Sequence, residues 1–226
     1  MRAKLIFITG TNTGTGKTLI TCLGLHHLRD KGHSACGLKP FCSGSRGDAH
    51  HVRFHGGQAW DLEEVNPWFF IPPLSPGAMP KQSQIAMEDV IKHVEKKRRD
   101  CDYLLIEGAG GLMSPLGPGY HLGTLIKHFN TDTILAAPNK LGVLNQILLT
   151  HDYLRRENLV QNLKIVLMGQ KKPDLSSESN TFTLLQWIPN CQVIEFPYMG
   201  PNAKSRASVR KNATKFQMDL NTLFPF

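Results

Sequence analysis

Six short, mostly apolar runs punctuate the chain, at positions 4–9, 35–38, 102–107, 132–137, 163–168 and 192–196. Each has the length and the β-branched or aliphatic content of a strand buried on both faces. Between most of them the apolar positions recur at three and four residues instead, which predicts helices over 18–29, 84–99, 122–129, 144–156 and 177–187. Strands alternating with helices predict an α/β fold: one doubly wound, mostly parallel sheet flanked by helices. Positions 66–80 hold five prolines (Pro67, Pro72, Pro73, Pro76, Pro80) and three aromatics, and read as one long ordered loop rather than a linker. With no internal repeat or low-complexity tract, 226 residues are read as a single domain, 1–226.

Composition then removes several classes. The 26 Lys+Arg against 18 Asp+Glu give +8, which raises the question of a polyanionic ligand. The apolar stretch after Met1-Arg2-Ala3-Lys4 is too short for a signal peptide, and the other apolar runs fall far below the ~20 residues of a membrane span. Cys22, Cys36, Cys42, Cys101 and Cys191 form an odd set without CxxC spacing, so neither a disulfide framework nor a zinc ribbon is expected. A cytoplasmic protein is the expectation. Cys22 and Cys36 read as small core residues, and Lys96-Lys97-Arg98-Arg99 as a solvated face that complements a helix dipole.

The chemistry begins at Gly10-Thr-Asn-Thr13-Gly14-Thr15-Gly16-Lys17-Thr18, between the first strand and the first helix. Backbone N–H groups around Gly14 and Gly16 can converge on phosphate oxygens at a helix N-terminus. Lys17 would reach the β- and γ-phosphates, and the Thr18 hydroxyl would ligate Mg²⁺. The strict G-x4-G-K-[ST] pattern puts its first glycine at position 11, here Thr11, so the loop is a variant. Glu107 stands at the carboxyl end of a buried run, the side of a parallel sheet where ligands bind, and can meet the same metal. Gly108, Ala109 and Gly110 after it let the backbone approach a ligand.

Together these motifs resemble the dethiobiotin synthetase family, ATP-dependent carboxylating cyclo-ligases of P-loop NTPase-like fold. The family's G-T-x-T-x-x-G-K-T loop corresponds to Gly10 through Thr18, its K-P-x-x-[ST]-G block to Lys39-Pro40-Phe41-Cys42-Ser43-Gly44, and its N-P block to Asn66-Pro67. E-G-A-G-G with a following P-L corresponds to Glu107 through Gly111 with Pro115-Leu116, and K-L-G-x-x-N to Lys140-Leu141-Gly142-Val143-Leu144-Asn145. The resemblance implies that one amine of 7,8-diaminopelargonic acid captures CO2 as a carbamate. The carbamate then takes the γ-phosphoryl group of ATP, and the second amine closes the ring and releases phosphate. It implies Lys17 and Lys39 as the catalytic cations, Thr18, Asp48 and Glu107 as Mg²⁺ ligands, and Ser43 as a substrate contact. Gly142, Val143, Leu144 and Asn145 would meet the substrate carboxylate from the neighbouring subunit of a homodimer. Small molecules, not nucleic acid or membrane, are the implied partners. Asp61 competes with Asp48 for the metal role, and His50, His51 and His55 lack the acids or cysteines to complete a zinc set.

Two features depart from the resemblance. An Asn-Asp pair that reads adenine is replaced by Gly169-Gln170, which predicts weaker selectivity for ATP; Pro197-Tyr198-Met199 remains as a second segment against the base. Residues 201–226 carry five Lys/Arg against Asp219, a basic end with no implied role. The alternatives are a ParA/MinD-like switch ATPase binding DNA, membrane or a protein partner, and an inactive family member. The first is disfavoured by the lack of a lysine among Thr11, Asn12 and Thr13, and the second by the intact Lys17, Thr18, Lys39 and Glu107.

Overall fold

All six apolar runs become strands of one sheet in a computed structural model that describes residues 2–226. In chain order the elements are β1 (Lys4–Gly10), α1 (Lys17–Asp30), β2 (Ala35–Leu38), β3 (Phe41–Ser43), α2 (Gly47–His55), α3 (Leu62–Val65) and β4 (Trp68–Phe70). Then come α4 (Met87–Lys97), β5 (Tyr103–Glu107), β6 (Pro115–Gly117), β7 (Tyr120–His121), α5 (Leu122–Phe129) and β8 (Asp132–Pro138). The chain ends with α6 (Val143–Arg156), β9 (Leu163–Met168), α7 (Asn180–Trp187), β10 (Gln192–Phe196), α8 (Arg206–Lys215) and α9 (Gln217–Leu223). The sheet order is β10-β9-β8-β1-β5-β2, parallel throughout. The switch in winding falls at β1, whose two neighbours are β5 and β8, and a crevice at such a point is where open α/β sheets bind ligands.

The central strands are buried almost continuously: Leu5 to Gly10 in β1 and Tyr103 to Glu107 in β5. Such strands need cover on both faces. α1 supplies part of it and is itself enclosed, with Ile20, Cys22, Leu23, Leu25 and Leu28 buried. α2, α8 and α9 pack around it. The Phe224 ring closes directly over Gly24, where any Cβ would lie 2.3 Å from the ring. Among the described residues no helix is long and apolar enough to cross a membrane.

Several expectations are corrected. The helix foreseen over 84–99 begins at Met87, because the Gln84 side-chain amide donates to the carbonyls of Gly77 and Met79 and ties that residue to the preceding turn. The one over 177–187 begins at Asn180, since Asp174 caps a separate short turn by accepting from the Ser176 N–H. The proline-rich loop contains a strand, β4, which pairs in parallel with β3. The charge run that ends α4 is not wholly solvated: Lys97 is buried, ion-paired with Glu64 and placed over the Trp60 ring at 4.7 Å.

Candidate active site

Three adjacent strands, β1, β5 and β2, deliver the chemistry from their carboxyl ends. The register sets Ile8 beside Glu107 and Leu38 beside Ile106, so the loop after β1, the acid ending β5 and Lys39 just after β2 emerge side by side. Gly16 caps α1 with φ +97°, in the left-handed region, and its open α-carbon faces the Met168 side chain. A Cβ there would be both strained and only 2.8 Å from that side chain. The loop thus ends at the N-terminus of α1, where an anion is stabilised.

At the centre lies a buried ion pair. Lys39 Nζ donates to Glu107 Oε1 at 2.8 Å and to the Gly108 carbonyl at 2.7 Å, and Thr18 Oγ1 donates to the same Glu107 oxygen at 2.8 Å. Burial works against the Lys39 ammonium, but the Glu107 carboxylate outweighs it and holds the pKa above the usual lysine value. Among the described residues Lys17 has no such counter-ion in contact. Its ammonium donates to the Asn12 carbonyl at 2.7 Å, and burial, reinforced by the Lys39 charge, pushes its pKa down to about 8.

α2, which the sequence pattern missed, brings in Asp48. Burial disfavours its carboxylate, yet the ammonium groups of Lys39 and Lys204 keep its pKa below the ordinary aspartate value, so it is ionised at neutral pH. Asp61, the rival acid, instead caps α3 and lies 3.8 Å from Arg53. Of the histidines of α2, His55 braces the C-terminal segment, its Nε2 bonding the Lys204 carbonyl at 3.0 Å. The block Asn66-Pro67 gains a mechanical role. Buried Asn66 donates to the carbonyls of Lys39 at 2.7 Å and Pro40 at 3.2 Å and accepts from Arg46, which stands at the start of α2. One amide thus fixes the backbone beneath both Lys39 and the helix that carries Asp48.

The donor set fits a hard divalent cation. Glu107 Oε2 is buried without a hydrogen-bond partner among the described residues, an expensive condition for a carboxylate unless a cation meets it. No group of three or more His, Cys, Asp or Glu gathers among the described residues. Mg²⁺ takes one or two carboxylates and keeps water and phosphate oxygens for the rest, a set that Glu107 and Asp48, both beside the Thr18 hydroxyl, could supply.

Two cavities meet here. One, of about 280 Å³, runs along Gly14, Gly16, Lys17 and Thr18 to Gly200 and Lys204. The other, of about 360 Å³, is bounded by Phe41, Cys42, Ser43 and the proline strap Pro73–Pro76. Thr13, Lys39, Asp48 and Gly110 line both. A cleft of about 640 Å³ lies at the amino ends of β8, β9 and β10, around Asp132, Lys164 and Gln192, and holds none of these groups.

A family profile described as an AAA domain, AAA_26, matches residues 4–205. An ATP-dependent dethiobiotin synthetase of Methanococcus vannielii is 33% identical over 192 residues, covering 84% of this chain and 91% of the relative. The chain belongs to the dethiobiotin synthetase family. A second member, from Bacillus licheniformis, is also 33% identical, covering 78% of each chain. Among solved structures, a plasmid partition protein of Borrelia burgdorferi aligns over 97% of this chain and 99% of its own with a TM-score of 0.59. At 12% identity it shows the shared P-loop NTPase-like fold and no more.

Other family positions lie apart from the Lys39 centre. Val143, Leu144 and Asn145 open α6 behind Gly142 and line neither of the two cavities. Tyr198 and Pro197 lie against Gly169, whose N–H bonds the Phe196 carbonyl at 2.7 Å. The Gln170 amide is turned back onto the Met168 carbonyl at 2.7 Å. Lys204, which the sequence offered only as part of a basic end, faces Asp48 at 3.2 Å.

Proposed function

We propose that this chain forms dethiobiotin from 7,8-diaminopelargonic acid, CO2 and ATP. The observation that carries the reading is the pair of adjoining cavities sharing Lys39 and Asp48, one over a phosphate loop and one beyond it. That arrangement suits a reaction joining two separately bound anions. The nucleotide's phosphates would lie along Thr13, Gly14, Thr15, Gly16, Lys17 and Thr18, with Gly108, Ala109 and Gly110 closing the far side. The diamine would lie between Ser43 and the proline strap, its carbamate directed at Lys39.

The work of the side chains follows. One amine of the substrate adds to CO2, and a carbamate oxygen attacks the γ-phosphorus as ADP leaves. The second amine then attacks the carbamoyl carbon, expelling inorganic phosphate and closing the ring. Lys39, held by Glu107, presents a fixed cation between the two anions and offsets their repulsion on approach. Lys17 meets the charge that grows on the leaving β-phosphate oxygen. Thr18, Asp48 and Glu107 would hold Mg²⁺, which supplies further charge neutralisation on the phosphates. Gly142 through Asn145 would reach the substrate carboxylate from a second copy in a homodimer, and the enzyme would work in the cytoplasm.

Base recognition is the finer part of the proposal. Gly169 carries no side chain and Gln170 is engaged with its own strand, so the base meets mainly backbone and the Pro197-Tyr198-Met199 segment. The test is one incubation of purified protein with the diamine, bicarbonate, Mg²⁺ and each nucleoside triphosphate in turn, with dethiobiotin read by mass spectrometry. Product is expected with ATP, and with CTP and GTP at rates within fivefold of it. No product from any nucleotide refutes the ligase reading; a larger loss with CTP and GTP refutes the relaxed base selectivity.

A further inference from the structure

The basic end of the chain places one of its charges inside the phosphate site. Lys204 follows the turn at Gly200 and Pro201 and immediately precedes Ser205, which caps α8 by accepting from the Ser208 N–H. Its backbone is fixed on three sides: Ala203 is buried, the Lys204 carbonyl is bonded to His55, and Val209 anchors α8. The side chain then reaches from this mount into the cavity lined by Gly14, Gly16, Lys17 and Thr18. There its ammonium bonds Asp48 Oδ1 at 3.2 Å.

That contact sets up a competition. Asp48 is a proposed ligand of the divalent cation, and a carboxylate oxygen already engaged by an ammonium is less available to a metal. A cation arriving at Asp48 displaces Lys204, whose four-carbon stem is flexible and about one-third exposed, with side-chain accessibility of 38%. The displaced ammonium remains at the border of the cavity where phosphate oxygens would lie. We infer that Lys204 is a positioning residue of the phosphate site, serving as counter-ion to Asp48 while the metal is away and as a phosphate-binding cation once the metal has come. This rests on the nucleotide–metal reading of the site but not on the identity of the second substrate.

The test exploits the opposite signs of the two roles. Mn²⁺ binding to nucleotide-free protein, followed by electron paramagnetic resonance, is expected to tighten at least threefold in Lys204→Met, because the competitor for Asp48 is gone. Calorimetric binding of a non-hydrolysable ATP analogue at saturating Mg²⁺ is expected to weaken about tenfold in the same variant, the loss of one charge-assisted contact. Lys204→Arg should return both values toward wild type. In an Asp48→Asn background the change in Mn²⁺ affinity on Lys204→Met should vanish. A residue that merely braces the fold would weaken both ligands together, and that result, or no change in either, overturns the inference. Wild-type protein that binds no nucleotide overturns the phosphate-site reading and the inference with it.

Discussion

Lys17 is a buried lysine whose ammonium, among the described residues, donates only to a carbonyl of its own loop. Burial, aided by the neighbouring Lys39 charge, lowers its pKa from 10.5 to about 8. For a base with a depressed folded value, the unfolded chain holds more protons between the two values, so stability rises with pH through that window. Below about pH 8 the full penalty of keeping the ammonium buried is present, and the 2.5-unit difference corresponds to about 3 kcal/mol. A bound triphosphate reverses this, since it favours the protonated lysine and raises its pKa. Nucleotide affinity should therefore be level up to about pH 7.5 and fall as the free enzyme loses its proton, by about tenfold between pH 7 and pH 9. The phosphate's own last proton leaves near pH 6, outside that interval. Calorimetry in buffers of differing ionisation enthalpy reads the linkage directly, with uptake of about half a proton per nucleotide at pH 8. Lys17→Arg, which stays charged throughout, should bind more weakly but with no slope. Affinity constant within twofold from pH 7 to 9 in the wild type, or an unchanged slope in the arginine variant, would refute the reasoning.

Two other substitutions probe the same centre. Lys39→Ala leaves Glu107 buried and uncompensated, at a cost of about 3–5 kcal/mol, or roughly 10 °C in melting temperature for a chain of this size. Turnover should be lost while nucleotide binding is largely kept, and Mg²⁺ should restore part of the melting temperature by meeting the stranded carboxylate. A melting curve unmoved by either the substitution or the ion would contradict the assignment. Gly169→Asn would place a Cβ 2.7 Å from the Tyr198 amide nitrogen, so the backbone of that turn must move, at about 1–3 kcal/mol. If that variant melts like wild type and gains a preference for ATP, the claim that the turn has no room for a side chain is wrong.

What could be read in advance, and what could not, follows from the range of the interactions involved. Strands buried on both faces announce themselves as unbroken apolar runs, and a glycine-rich loop between such a run and a helix is local; hence β1, the phosphate loop, β5 and Glu107 were legible. α2 was not, because its Gly-Asp-Ala-His-His sequence has little apolar periodicity and its start is held by Arg46 reaching Asn66 and Leu62, contacts between residues distant along the chain. Lys97 misled for the same reason, its partners Glu64 and Trp60 lying more than thirty positions away. α8 has only Val209 and Ala213 buried, one narrow stripe on an otherwise polar helix, and passes for a solvated tail. A signal for it existed elsewhere. α1 carries apolar residues on more than one face, from Leu19 and Ile20 through Cys22, Leu23, Leu25 and Leu28, and a helix apolar on several sides must be covered on several sides. The sheet covers one of them. The remainder requires a segment not yet accounted for, and the C-terminal residues were the ones left. α8 docks on α1, and the residue before its cap, Lys204, lines the cavity over the phosphate loop. The excess positive charge of residues 201–226 is thus divided: Lys204 belongs to the site by the geometry of helix packing, while Arg206, Arg210, Lys211 and Lys215 are carried on the solvent side of the helix that brings it there.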